Sequence, residues 1–114
     1  MITADQFRRT ALEIPGAIES AHLNHPDFRI GGKIFASLGY PDENGGMVAL
    51  TPARQRALMH QAPRVFSPCN GAWGRQGATA VNLNAATADV ARAALAAAAK
   101  TVAAKQQVPH ASKH

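Results

Sequence analysis

One cysteine, one tryptophan and one tyrosine stand in a chain of 114 residues, and acids are scarce, 7 against 12 Lys and Arg. A single cysteine excludes an internal disulfide, so the fold must rest on packing, and nothing calls for an oxidising compartment. No apolar run approaches the ~18 residues of a membrane-spanning helix. The longest, an Ala-rich stretch near the C-terminus, is interrupted by Asp89, Arg92 and Lys100. The opening residues lack a basic start followed by an apolar core, so no signal peptide is expected. A cytoplasmic protein without membrane contact is the expectation. Also missing are a phosphate-binding Gly-rich loop, a dinucleotide fingerprint and a nucleophile elbow. No enzymatic activity and no cofactor are therefore expected.

What remains is ordinary in bulk and basic in balance. Hydrophobic residues make up 46% of the chain, enough for a single domain that buries roughly two-thirds of its unfolded surface. The net charge of +5 is uneven: residues 25–83 hold six basic and three acidic residues, and 84–114 four and one. That balance suits a polyanionic partner through counterion release, although many inert proteins are equally basic.

The stretch His25-Pro-Asp-Phe-Arg-Ile-Gly-Gly-Lys-Ile-Phe-Ala-Ser-Leu38 organises the reading. Two apolar-rich runs flank a Gly-Gly pair, the pattern of a β-hairpin with a two-residue turn. A regular register sets Ile30 against Lys33 and Phe28 against Phe35. Arg29, Ile34, Ala36 and Leu38 then share the other face. Two aromatics bury more area than small aliphatics, which favours the Phe28/Ile30/Phe35 face for the core.

Around the hairpin, Thr3 to Gln6 forms a capping box, and Phe7, Ala11 and Ile14 recur at helical spacing, so a first helix is expected over 4–14. Pro15-Gly16 stops it. Residues 17–24 fit neither period and read as an irregular connection with room for a short edge strand. A turn-rich loop over 39–46 leads to a strand at 47–50, and Thr51-Pro52 announces a helix to about 62. Residues 64–68 are extended. Asn70 to Gly77, with three glycines in eight residues, reads as a tight loop, and 78–83 alternates as a strand with Val81 and Leu83 inward. A last helix spans about 86–104, with Ala91, Leu95, Ala98 and Val102 in one stripe. The expected fold is α+β, a two-layer antiparallel sheet with helices on one face, as a single domain over 1–105 and a disordered basic tail over 106–114.

Candidate chemistry is thin. His22-x-x-His25 has ligand spacing but no third ligand nearby, so no metal is expected. Cys69 has no orienting partner in sequence and reads as an incidental thiol. Gly74-Arg-Gln-Gly77 is similar to the GXXG clamp of KH domains, but a strand follows where a helix should. Its glycines could still admit a phosphate, with Arg75 for charge and Trp73 for base stacking. Arg29, Lys33, Arg54, Arg56, Arg64 and Arg75 would form one basic surface if the fold brings them together.

Several pieces in order, Leu12 to Gly16, His25 to Ala36, Leu38 to Glu43, Gly46 to Pro52 and Trp73 to Thr79, resemble the MmcQ/YjbR family of small bacterial proteins. The likeness covers roughly residues 8–104. It implies a secretion-chaperone-like fold of order α-β(3)-α-β(2)-α and the DNA-binding label that the family commonly carries. Two positions depart from the family's pattern: Gly45 and Ala49 replace an aromatic and a lysine, and Ala78 follows Gly77 where many members have tryptophan. Combined, charge and resemblance predict weak, phosphate-directed DNA binding through Arg29, Lys33, Arg64, Trp73 and Arg75. The alternatives are a protein-interaction module, monomeric or homodimeric, and, as a distant third, a small-molecule pocket or enzyme near His25, Cys69 and Trp73.

Overall fold

A computed structural model describes residues 1–22 and 24–112, the side chains of His22 and of 106–112 excepted. Ten elements follow one another: α1 (Ala4–Leu12), β1 (Ile18–His22), β2 (His25–Ile30), β3 (Lys33–Leu38), β4 (Gly45–Ala49), α2 (Pro52–Gln61), β5 (Phe66–Pro68), α3 (Gly71–Arg75), β6 (Ala78–Asn82) and α4 (Ala88–Ser112). The strands form one antiparallel sheet in the order β1-β2-β3-β4-β6-β5. An α+β fold with a multi-stranded antiparallel sheet and flanking helices is thus present, as the sequence predicts. Its order differs from the expected one by the edge strand β1 and the short helix α3.

Local signals account for most of the element ends. The Thr3 hydroxyl accepts from the Gln6 N–H at 3.0 Å while Gln6 Oε1 accepts from the Thr3 N–H at 2.8 Å, which closes the capping box of α1. Thr51 Oγ1 accepts from the Arg54 N–H at 3.1 Å, and Pro52 opens α2 where its missing N–H costs nothing. Gly31 and Gly32 both have positive φ, 58° and 82°, as a two-residue hairpin turn of the primed type requires. The last helix extends past the expected end near 104, because nothing in Lys105-Gln-Gln107 breaks it.

The core lies on one face of the sheet, under α1 and α4. Phe7, Phe28, Phe35, Val48, Val81 and Leu95 meet there, with the rings of Phe7 and Phe28 6.3 Å apart and tilted by 60°. The α4 stripe of Ala91, Leu95, Ala98 and Val102 is buried as its spacing predicts. Small side chains along it let the helix approach the strands closely.

The expected hairpin register needs correction. Phe28 pairs with Ala36, not Phe35, while Arg29 pairs with Ile34 and Ile30 with Lys33. A β-bulge takes up the extra residue on β3. It turns Phe35, Ala36 and Leu38 all toward buried positions and leaves Ile34 on the opposite side. Strict alternation would have put Ala36 and Leu38 with Ile34.

That opposite face is covered only in part. Over β4 and β6, Met47, Ala78 and Ala80 pack beneath Cys69 and Tyr40 in a second, smaller cluster. Among the described residues no helix lies over this face of β1 to β3, and cross-strand pairing puts Ile18, Arg29 and Ile34 in one row and Ser20, Asp27, Ser37 and Met47 in the next. Among the described residues no helix is long and apolar enough to cross a membrane.

Candidate functional site

The uncovered face ends in a cleft of about 380 Å³ between the β2–β4 surface and α3. Strand alternation supplies its floor: His25 and Asp27 from β2, Ile34 and Ser37 from β3, Met47 and Ala49 from β4, each two residues apart or offset by the bulge. Its wall is Tyr40 from the β3–β4 loop and Trp73 from α3. Their rings meet edge to face, 5.3 Å apart at 83°, an arrangement that the ring quadrupoles favour. Trp73 is 47% exposed and Ile34 37%, unusual for side chains of their size, and they stand at the margins of the same cleft.

The wall is held by backbone contacts. The Tyr40 hydroxyl accepts a hydrogen bond from the Asn70 N–H at 3.0 Å, which fixes the ring beside α3. Gln55, buried on α2, donates from Nε2 to the carbonyls of Gly74 at 3.0 Å and Ala78 at 3.1 Å, tying α2 to both ends of the Gly74–Ala78 turn. A Cβ on Gly74 would sit 1.8 Å from the Cys69 carbonyl oxygen, and one on Gly77 1.8 Å from that of Leu50. The two glycines therefore let the chain pack against its own backbone. The phosphate-cradling reading of this turn has no support in that geometry.

At the cleft floor, Asp27 is 2% exposed and paired with Arg29: Nε donates to Oδ1 at 2.8 Å and Nη2 to Oδ2 at 3.2 Å. Both side chains project from the same face of β2, two residues apart. Its hydrogen bond to Asp27 holds the Arg29 guanidinium above its ordinary pKa, with desolvation working in the other direction and charge attraction adding to the rise. His25 lies over Gly39, where a Cβ would come within 2.4 Å of its Nδ1.

Cys69 is buried behind the wall. Burial pushes its thiol up to about 11, while a hydrogen bond from Tyr40 pulls the other way. The expected result is a native protein that resists alkylation at pH ~8 and labels at once when unfolded. Labelling as fast as a free thiol in the native state would contradict the burial. The sign of the linked stability follows. The folded thiol keeps its proton between about 9, its ordinary value, and about 11, so stability is constant below that window and falls as pH rises through it.

The residues expected to contact DNA do not gather into one site. Antiparallel pairing puts the β2–β3 turn, the end of β4 and the start of β6 at one end of the sheet. Lys33 and Arg75 belong to that end, as does Arg54 in the first turn of α2. Arg64 precedes β5, whose first residue pairs with Val81 at the opposite end. Arg29 is engaged by Asp27. Trp73 forms the cleft wall. The region around His25 and Trp73 is the place where residues singled out in sequence do converge, with Asp27, Ile34, Tyr40 and Met47 added by the fold. Among the described residues no group of three His, Cys, Asp or Glu side chains could hold a metal; the His22 side chain of the His-x-x-His pair lies outside them.

The chain matches no family model and no curated protein. It is similar to the crystal structure of Deinococcus radiodurans protein DR2400, described by the family-model domain DUF419, with a TM-score of 0.73 and 18% identity over 90% of this chain and 79% of that one. At that identity the likeness shows the fold alone. The MmcQ/YjbR assignment is corrected accordingly: no family model supports it, the similar structure carries the DUF419 name, and the DNA-binding label drawn from the assignment goes with it. What the comparison establishes is an α+β architecture shared with the DR2400 protein.

Proposed function

We propose that this domain is a non-enzymatic binding module that takes a small, largely apolar ligand in the cleft between β3 and α3. One observation carries the reading: Ile34 and Trp73, both exposed, flank a concavity with an apolar floor of Met47 and Ala49 and with Ser37, Asp27 and His25 as its polar points. Ligand sites typically have this make-up and a volume of roughly 300–1,000 Å³, and an apolar site with few polar groups binds by excluding water while those groups fix orientation. Nucleic-acid binding has less behind it, since Arg29 is engaged with Asp27 and Arg64 lies at the far end of the sheet. The protein-interaction alternative has one observation in its favour, the edge strand β1 with Ile18 59% exposed; association that grows with concentration in light scattering would favour it.

The single tryptophan reports on the cleft directly. Titration with neutral arylalkyl amides, such as 4-phenylbutanamide, should change Trp73 fluorescence in a saturable way, and Trp73→Phe should abolish the signal and weaken binding. Amides that leave the fluorescence unchanged up to their solubility limit would overturn the proposal.

A further inference from the structure

The Asp27–Arg29 pair uses only one edge of the guanidinium. A guanidinium offers two edges that match a carboxylate, one formed by Nε and Nη2 and the other by Nη1 and Nη2. Asp27 takes the first edge with both its oxygens. The second edge lies outside the pair. Arg29 stands in the row of Ile18 and Ile34 on the uncovered face, and its side chain keeps 29% of its exposure while that of Asp27 keeps 3%. Its cross-strand neighbour Ile34 and its strand neighbour Asp27 both line the cleft.

We infer that Arg29 is an anion clamp at the margin of the cleft and that the ligand is an amphipathic organic acid, its carboxylate on Nη1 and Nη2 of Arg29 and its apolar body between Ile34, Met47 and Trp73. Asp27 acts as the positioning residue. By holding the guanidinium edge-on, it removes the rotamer freedom that a long side chain would otherwise lose on binding. It leaves the pair neutral when empty, so the attraction for the acid comes from a directed two-pronged hydrogen bond. A charge-assisted contact of that kind is stronger than a neutral one and selects for a planar, two-oxygen group.

The inference rests on the cleft reading above, and one experiment separates their failures. Trp73 fluorescence compares 4-phenylbutanoate with 4-phenylbutanamide, the acid and its neutral counterpart, on the unmodified protein. The acid should bind about tenfold more tightly or better. The double change Asp27→Asn with Arg29→Gln keeps an uncharged pair on β2 and should bring the affinity for the acid down to that for the amide in the same variant. Arg29→Lys, which keeps the charge but loses the two-pronged edge, should reduce the acid's advantage several-fold, and it serves if the double variant does not fold. Equal binding of acid and amide would overturn the clamp and leave the cleft standing. Binding of neither would overturn both. Displacement of the bound acid by a short DNA duplex at ~50 mM salt, with the effect lost at ~200 mM, would make Arg29 a phosphate contact and overturn the organic-acid reading.

Discussion

Gly77→Ala should unfold the protein or lower its stability by about 3 kcal/mol or more, among the largest effects of any single methyl group in the chain. Two independent causes act together. Gly77 has φ of 117°, a region that L side chains rarely enter, and a Cβ there would lie 1.8 Å from the Leu50 carbonyl oxygen. Neither can relax easily, because Leu50 N–H donates to the Gly77 carbonyl at 3.1 Å and α2 begins two residues later. The joint between β4, α2 and the α3–β6 turn would have to open. A urea titration followed by circular dichroism measures the loss. Gly16→Ala is the control: it too has positive φ, 85°, but meets nothing within 4 Å, so it should show backbone strain alone and cost about 1–2 kcal/mol. Equal effects at the two positions would show that the close packing at Gly77 contributes nothing.

The second large effect follows from the bulge in β3. Ala36→Asp should cost about 4 kcal/mol or more, because the carboxylate would enter a fully buried position opposite Phe28 and Val48 with no partner. Ile34→Asp, two residues earlier and on the same side in any regular strand, should cost under about 1 kcal/mol, since Ile34 is exposed on the uncovered face. The contrast is the test. A regular hairpin would make the two changes alike. Phe28→Ala should lose about 3–5 kcal/mol, a large part of the roughly 5–15 kcal/mol of a typical domain, through a cavity beneath α1 and α4.

That bulge also shows where sequence reasoning stops. The turn glycines, the capping box and the Thr51-Pro52 helix start are each decided within four residues, and the chain carries them in legible form. The face of the hairpin is different. Phe28, Ile30, Ile34, Phe35, Ala36 and Leu38 leave both faces partly apolar, so alternation has no contrast to read, and one inserted residue reverses the assignment of Ala36 and Leu38. The helix α3 is hidden for another reason. Three glycines in eight residues argue against helix, and five residues cannot hold one alone; its hold comes from Gln55, nineteen positions earlier than Gly74 in sequence. β1 is paired in register with β2, from Ile18 with Arg29 to His22 with His25, although its own sequence has no clear period.

The cleft was legible only as fragments. His25 and Trp73 stand out in the sequence for metal spacing and base stacking, and with Cys69 as the margin of a small-molecule pocket or enzyme site that ranks third among the readings. Tyr40 and Met47 carry no signal, because the lining comes from five separate segments that meet only after the sheet has formed. The single clue available was the His25, Asp27, Arg29 alternation, which puts a histidine, a carboxylate and a guanidinium on one side of one strand. Charge counting pointed instead to a polyanion. It treated Arg29 as a free cation, whereas its pairing with Asp27 converts a charge into an oriented donor.

The most direct test of the cleft is a map of backbone amide shifts while 4-phenylbutanamide is added. Shifts confined to Ile34, Ser37, Tyr40, Ala49 and Trp73, with α1 and α4 unmoved, are the predicted result. Shifts spread over the α1–α4 face, or no shift at those five residues, would contradict it.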